Sequence, residues 1–155
     1  MKNQKINNKT LFLLVTILLS IHCLSAFTQG SRAIQGHWWN EERTSKIKIE
    51  LQNGKYIGTI VYMTPETYVN GKPRHDENNP DPQLRDRAVE GLQIVQNLEY
   101  NPTSRQWING SIYDPRSGNT YDCYAWIEGD VLKLKGYLGG FRWLGRESEW
   151  YRTTP

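Results

Sequence analysis

Cysteine is scarce in this chain, and its scarcity excludes a disulfide-stapled scaffold. The 155 residues include two cysteines, Cys23 and Cys123. Cys23 lies in an N-terminal segment that we predict to be removed, so Cys123 would stand alone in the mature domain. That domain must then be held together by packing rather than by cross-links. We expect the lone thiol to be a small buried residue of the core.

Long hydrophobic runs are missing after the first thirty residues. Before that point, three lysines precede an apolar run over residues 11–19, and small residues follow. This pattern is typical of a secretory signal peptide, with Ala26 and Thr28 as alternative cleavage points. A retained membrane anchor is less favoured, because a span needs roughly 20 apolar residues. We predict a cleaved signal peptide over 1–28, a single β-barrel domain over 29–155 that does not span a membrane, and a location in the periplasm or outside the cell.

A surplus of charge is also missing from the mature domain. The whole chain has 19 basic and 16 acidic residues. Removing the three leader lysines leaves 16 basic residues, which equals the acidic count. Binding to nucleic acid requires a basic patch that neutralises phosphates. We therefore predict no nucleic-acid partner.

Helical periodicity is absent, and short β-type runs take its place. Residues 46–51 alternate strictly between apolar and polar, which predicts a strand with one buried face, and Asn53-Gly54 predicts a tight hairpin. The predicted strands are 36–40, 46–51, 56–63, 92–100, 106–113, 120–127, 131–137 and 147–152. About eight strands in series favour an all-β antiparallel meander. Closure into a barrel would remove both edge strands, and a β-sandwich is the alternative.

Two residues at opposite ends of this meander favour the closed barrel. Trp38 stands in Gly36-His37-Trp38 at the start of the first strand, and Arg152 ends the last strand. The pair resembles the lipocalin and calycin signature, in which a basic side chain covers a tryptophan at the closed end of the barrel. A cation over an aromatic face contributes roughly 0.5–2 kcal/mol. We expect Gly36, Trp38 and Arg152 to be structural.

Several further segments, in the same order, resemble a bacterial exported family known as domain of unknown function 2147. The matching segments are Gly36-His37-Trp38, 54–58, Asp76, 79–82, 84–87, 91–92, 110–121, Leu132, 136–137 and 150–152. The resemblance covers nearly the whole mature chain. It implies export and a calycin-like barrel, and it supplies no established substrate, cofactor or catalytic residue.

One long irregular stretch, residues 64–90, interrupts the strands. Its four prolines exclude a helix or a central strand, although a short helical turn fits residues 83–87. Its charged residues either grip a ligand as a lid or rim, or form ion pairs and turn hydrogen bonds that pin the loop over one barrel end. Tyr113 of a predicted strand and Trp143, whose glycine-rich apolar segment could form a rim or contact surface, join them. The candidate ligand-binding or loop residues are Asp76, Asn79, Asp81, Arg85, Arg87, Tyr113 and Trp143.

Candidates for catalysis or metal binding are few. The segment from Asp114 through Pro115 to Gly118 predicts a turn. In that turn the Asp114 carboxylate accepts hydrogen bonds from backbone N–H groups, and Gly118 supplies a positive φ. No second acid, histidine or nucleophile stands at an interpretable spacing from Asp114. The consecutive triplet His75-Asp76-Glu77 points in different directions in an extended loop, which disfavours a shared metal ion. We predict no enzyme activity, no metal and no cofactor.

Aromatic residues are dense, with six tryptophans and nine tyrosines. They either line a pocket or fill the core of a small β domain. The first reading predicts a binding protein for a small apolar or amphipathic molecule, with a cavity of about 300 Å³ or more. The alternative is a packed β domain that acts through its surface, as an envelope interaction or stress-related module. It predicts a filled barrel and an exposed apolar patch at 141–144. We favour ligand binding, and the sequence names no protein partner.

Overall fold

The computed structural model describes residues 30–155. The chain divides into two compact units, Met1–Ala33 and Ile34–Pro155. In the first unit, Ala33 N donates a hydrogen bond to Gly30 O at 3.2 Å, which closes a single turn. The predicted signal peptide, residues 1–28, lies outside the described residues and stays a prediction. No helix in the described part of the chain has the length and apolar character needed to span a membrane.

Eight antiparallel strands close into a barrel in which each strand pairs with the next and the last pairs with the first. The strands are β1 (Gly36–Trp39), β2 (Ser45–Gln52), β3 (Lys55–Met63), β4 (Gln93–Asn101), β5 (Gln106–Asp114), β6 (Asn119–Glu128), β7 (Val131–Tyr137) and β8 (Arg146–Thr153). The predicted eight-stranded antiparallel barrel is confirmed. The β-sandwich alternative is wrong, because β1 and β8 pair directly.

The two ends of the barrel differ in their connections. Because consecutive strands are antiparallel, alternate connections lie at the same end. One end carries the tight turns after β2, β4 and β6, and we call it the closed end. The other end carries the longer connections 40–44, 64–92, 115–118 and 138–145, and we call it the open end.

At the closed end, Trp38 is fully buried and is capped by Arg152. The guanidinium carbon of Arg152 lies 4.1 Å from the Trp38 ring centroid, and the Trp38 indole N–H donates to Ile34 O at 2.9 Å. Arg152 Nη1 also donates to Gln35 O at 3.1 Å. Gly36 has a φ of +121°, and a Cβ on it would lie 3.2 Å from Arg152 Nη1. The positive φ favours glycine here, and a larger residue would also have to displace the end of the Arg152 side chain.

The closed half of the barrel is tightly packed. Asn97 in β4 and Asn109 in β5 have positive φ values of 60° and 62°, and the pairing register shifts around Asn109. Leu98 consequently sits directly over Gly110, where a Cβ would lie 2.5 Å from the leucine Cδ2. Trp107 fills the neighbouring space and packs edge-on against Tyr56, with ring centroids 6.3 Å apart.

The lone thiol belongs to this packed region. Cys123 is fully buried. Burial raises its pKa to about 12, with a smaller effect from the charge of Asp122. A thiol with such a pKa is almost entirely protonated at neutral pH and is a poor nucleophile. Cys123 thus acts as a packing residue, as its solitary position suggested.

Candidate ligand cavity at the open end of the barrel

A cavity of about 590 Å³ occupies the open half of the barrel. Below the mouth, its apolar lining comes from inward-facing strand residues and from Val89 of the β3–β4 connection. These are Ile47, Ile60, Met63, Val89, Ile94, Ile112, Leu134 and Trp150. Small-molecule sites have volumes of roughly 300–1,000 Å³ and walls that are mostly apolar. The volume and lining both fit a site for a small molecule.

Strand β8 shows how the polarity of the cavity changes with depth. Alternate residues of a strand face the same side, and Trp150, Ser148 and Arg146 all line the cavity. The buried Trp150 lies deepest, and its indole N–H donates to Ser148 Oγ at 3.1 Å. Arg146, the first residue of β8, lies at the mouth. The cavity is therefore apolar at its floor and polar at its mouth.

Charged side chains surround the mouth. The Glu42 carboxylate has partners within the protein: it accepts a hydrogen bond from Asn40 Nδ2 at 2.8 Å and lies 3.5 Å from Arg116 Nη1. Arg74 and Arg146 also line the cavity. Among residues 30–155, no acidic side chain forms an ion pair with either of these two arginines.

The loop between β3 and β4 is fastened to the barrel by Asp76. This carboxylate is completely buried. It accepts hydrogen bonds from Tyr113 Oη at 2.6 Å and from Asn79 Nδ2 at 2.7 Å. Arg87 adds two more, from Nε at 2.9 Å and Nη2 at 2.8 Å. Since Tyr113 belongs to β5, the cluster ties the loop to the barrel wall.

The hydrogen bonds set the charge state of this cluster. Burial acts to raise the pKa of the Asp76 carboxyl. The hydrogen bonds from Tyr113 and Asn79, with the paired Arg87 guanidinium, act in the opposite direction and prevail, so the pKa lies below its ordinary value. Burial and the bond to Asp76 raise the pKa of Tyr113. The buried carboxylate is thus ionised at neutral pH, and the phenol stays protonated as its donor.

Other polar side chains of the β3–β4 loop form hydrogen bonds with backbone groups of the same loop. Arg85 Nε donates to Asn79 O at 2.8 Å. The Asp81 carboxylate accepts from Gln83 N at 2.9 Å and caps the short 3₁₀ turn at Pro82–Leu84. An isolated bridge between His75 and Ala88 brings the two arms of the loop together. These bonds hold the loop in one shape at the open end.

The turn between β5 and β6 supports the same loop. Asp114 Oδ1 accepts from Arg116 N at 3.0 Å, and Oδ2 accepts from Ser117 Oγ at 2.8 Å. Gly118 has a φ of +73°, and a Cβ on it would lie 1.8 Å from the carbonyl oxygen of Asn78. Asn78 Nδ2 in turn donates to Arg116 O at 2.8 Å. The glycine allows the long loop to lie directly on the turn.

The structure separates the candidate residues into three groups. Tyr113 lines the cavity. Trp143 is exposed, on the connection between β7 and β8, and is not part of the cavity wall. The remaining candidates hold the β3–β4 loop and do not line the cavity, and they are Asp76, Asn79, Asp81, Arg85 and Arg87.

Sequence reasoning missed most of the residues that do line the cavity. Leu134, Gly136 and Ser148 face inward by simple alternation on β7 and β8. That alternation is visible in the sequence, but which half of each strand borders a hollow is not. Arg74 was missed because nothing in its sequence context distinguishes it from the other loop cations.

The connection between β7 and β8 exposes an apolar rim beside the mouth. We define the apolar rim as Leu138, Phe141, Trp143 and Leu144, whose exposed fractions are 62, 56, 75 and 67%. Three of these, all but Trp143, also line the mouth of the cavity. The cavity and the exposed patch, expected of two different functions, thus meet at the open end.

Clusters of metal-ligating side chains do not occur in residues 30–155, where no group of three or more His, Cys, Asp or Glu could hold an ion. Asp76, the central residue of the triplet His75-Asp76-Glu77, is already saturated with hydrogen bonds. The available polar chemistry is therefore hydrogen bonding and charge at the mouth.

A bacterial protein family matches residues 36–152, and its description is "Uncharacterized protein conserved in bacteria (DUF2147)". The chain belongs to this family. The resemblance drawn from the sequence segments is confirmed. A comparison with curated proteins gave no match.

A solved structure shares the fold. It is that of protein HP1028 from the human pathogen Helicobacter pylori, described as belonging to the lipocalin family. The two are similar with a TM-score of 0.67 and 21% sequence identity, over 78% of this chain and 83% of that chain. At this identity the likeness establishes a lipocalin-like barrel and nothing finer.

Proposed function

We propose that this protein binds a small apolar or amphipathic molecule in the open half of its barrel. The observation that carries the proposal is the cavity of about 590 Å³, in a barrel whose other half is filled. Water in a cavity lined by isoleucine, leucine and tryptophan finds few hydrogen-bond partners. Burial of an apolar ligand there is therefore favourable. The lipocalin-like fold supports the same non-catalytic role.

The depth profile of the cavity favours a particular orientation of the ligand. An apolar portion would lie against Trp150 and Leu134 at the floor. A polar end would lie at the mouth, within reach of Arg74 and Arg146, whose guanidinium groups offer hydrogen-bond donors. We infer a ligand with hydrogen-bond acceptors at one end. We place the protein in the periplasm or outside the cell, as its predicted leader supports.

Native mass spectrometry tests the proposal most directly. The protein would be purified gently from its own cells, and its native mass compared with the mass after denaturation. We expect extra mass that leaves on unfolding and identifies the ligand. Equal masses in both states would count against a carried ligand and favour a domain that acts through its surface.

A cavity-filling variant tests where the ligand binds. Gly136 lines the cavity from β7, and a Cβ there would meet nothing closer than 3.5 Å, at Ile112 and Tyr121. Since Gly136 has no positive φ and a Cβ on it is accommodated, we expect Gly136→Phe to place its ring in the cavity, and Gly136→Ala is the matched control. With the fluorescent apolar probe N-phenyl-1-naphthylamine, we expect about tenfold weaker binding to Gly136→Phe and unchanged binding to Gly136→Ala. Equal binding to both would place the probe outside the barrel.

A second function, as an envelope interaction or stress-related module, is favoured by one observation. The apolar rim is exposed at the open end, as that function requires of its contact surface. Loss of binding to a cellular partner in Trp143→Ser, with probe binding intact, would support a surface role separate from the cavity.

A further inference from the structure

The apolar rim is unlike the other exposed apolar residues of the barrel. Five other large apolar residues are also exposed, but no more than two of them lie on any one strand or connection: Leu51 on β2, Val61 and Tyr62 on β3, and Val69 and Leu84 on the β3–β4 connection. Single exposed apolar side chains are normal on soluble proteins. The rim instead places four large side chains on one short connection, residues 138–145. Contiguous apolar patches of this kind mark interaction surfaces.

The rim is held in this exposed arrangement by its own contacts. Arg142 reaches back to β6 and β7, where its guanidinium carbon lies 4.1 Å from the Tyr124 ring centroid and 5.7 Å from that of Tyr137. Phe141 and Trp143 pack edge to face, with centroids 6.3 Å apart. Arg142, the one charged residue of this connection, is thus held against the barrel, and the large apolar side chains beside it stay exposed.

The charged residues beside the apolar rim indicate which kind of surface it would bind. The segment 138–146 contains Arg142 and Arg146 and no acidic residue. The acids nearest to it in the sequence and at the mouth include Glu147, which pairs with Lys133, and Glu42, which pairs with Arg116. Glu41 and Asp114 also line the mouth, as do Arg74 and Arg146. Cationic side chains next to exposed aromatic and aliphatic groups suit the interface of an anionic bilayer, where tryptophan and phenylalanine lie at the headgroup level. Basic residues near such a surface strengthen attachment, and salt screens the attraction.

We propose that the apolar rim docks this protein onto the surface of an anionic lipid bilayer. The mouth of the cavity borders the rim, since Leu138, Phe141 and Leu144 belong to both. Docking would bring the mouth against the bilayer, so that an amphipathic molecule could pass between lipid and cavity without crossing water. The docking does not depend on a ligand, whereas this transfer rests on the proposed function.

Vesicle flotation tests the docking. The full chain would be expressed, purified and mixed with vesicles of equimolar phosphatidylglycerol and phosphatidylcholine. The test variant is Phe141→Ser/Trp143→Ser, and the matched control is Leu51→Ser/Val69→Ser, which removes two apolar residues of 47 and 50% exposure elsewhere. We expect the rim variant to bind about tenfold more weakly than the native protein, and the control to bind normally. Intact masses would verify that all three proteins carry the same N-terminus.

The charge component has its own test. Binding to pure phosphatidylcholine vesicles should be weaker, and added salt should weaken binding to the anionic vesicles. The proposal is overturned if the native protein does not float, or if rim and control variants float equally. It is also overturned if the native protein is a dimer that the rim variant alone dissociates, because a second copy would then cover the rim.

Different results would contradict the docking proposal and the ligand-binding proposal. We expect Trp143→Ser, which changes the one rim residue that does not line the cavity, to weaken vesicle binding and to leave binding of N-phenyl-1-naphthylamine unchanged. A protein that floats but binds no probe would support docking and contradict the proposed function. A protein that binds the probe but does not float would contradict docking and leave the cavity proposal standing.

Discussion

The two ends of this barrel are built from the same alternating strands, yet one is filled and the other is hollow. At the closed end, Leu98 packs onto Gly110 and Trp107 fills the space beside it. At the open end, Gly136 faces a cavity of about 590 Å³. The two glycines differ in the room above them: a Cβ on Gly110 would lie 2.5 Å from Leu98 Cδ2, whereas a Cβ on Gly136 would be in ordinary contact, 3.5 Å from Ile112 and Tyr121. The size of the facing side chains, rather than the topology, decides where the barrel is hollow.

A matched pair of leucines on β7 would test this difference with the largest expected effect. Leu132 is buried in the closed half, and Leu134, two residues along and on the same face, lines the cavity. Truncation of a buried leucine costs about 2–5 kcal/mol, and more where a new void is created. We expect Leu132→Ala to lose about 4 kcal/mol of unfolding free energy and Leu134→Ala about 2 kcal/mol.

Urea unfolding of both variants measures that difference, provided that the slopes of the transitions agree. Equal losses would mean that the open half is as well packed as the closed half in solution. Such a result would also weaken the case for a ligand site.

The open end relies on a polar cluster where the closed end relies on packing. Asp76→Ala would leave the Tyr113 hydroxyl without its buried acceptor, and the Asn79 amide would keep only its 3.2 Å bond to Tyr113 Oη. An unsatisfied buried polar group costs about 1–3 kcal/mol. We expect a loss of at least about 2 kcal/mol in urea unfolding. Asp86→Ala, which removes an exposed acid of the same loop, should change stability by less than about 0.5 kcal/mol.

If the two aspartate variants proved equally stable, the loop would not be held by Asp76. Hydrogen exchange offers an independent reading, because the amide of Val89 bonds to Arg74 O at 2.9 Å within the pinned loop. Faster exchange there, with unchanged exchange in the closed half, would show that the open end loosens by itself.

The same cluster predicts a smaller, pH-dependent effect. The folded pKa of Asp76 is lowered, so its ionised form stabilises the fold at pH values above the ordinary carboxyl pKa. That contribution is lost as the pH falls through the lowered folded pKa. The stability difference between the native protein and Asp76→Asn should therefore shrink on acidification. A difference that stayed constant down to strongly acidic pH would show that the charge of Asp76 is not what stabilises the loop.

Much of the fold could be predicted from the sequence, because local signals carry it. The alternation of residues 46–51, the Asn53-Gly54 hairpin and the turn at Asp114 each specify local structure, and the strands found lie close to those expected. Barrel closure followed from the strand count and from the pairing of Trp38 with a distant arginine, which the structure shows directly. Short-range rules suffice where neighbours in sequence determine the geometry.

Of the predicted ligand-binding candidates, only Tyr113 lines the cavity. Most of the site could not be predicted, because it depends on contacts between distant residues and on irregular strands. The bulge at Asn109 shifts the alternation in β5, so Trp107 and Gly110 both face inward although their spacing is odd. Counting residues along the strand therefore gives the wrong face beyond the bulge. Asp76 bonds to Tyr113, 37 residues away. The loop charges suggested a ligand grip or a pinned loop, and only this contact shows how Asp76 is used.

The smallest expected effect on stability concerns Arg152, which caps Trp38 at the closed end. Arg152 covers a tryptophan that is already fully buried, so its removal should expose Trp38 at the closed end without opening the cavity. We expect Arg152→Ala to lose about 1 kcal/mol, since a cation over a ring contributes roughly 0.5–2 kcal/mol. Arg116→Ala, which breaks an exposed ion pair at the open end, should lose less than about 0.5 kcal/mol. Because probe binding should survive both changes, a loss of binding in Arg152→Ala would mean that the closed end also determines the shape of the cavity.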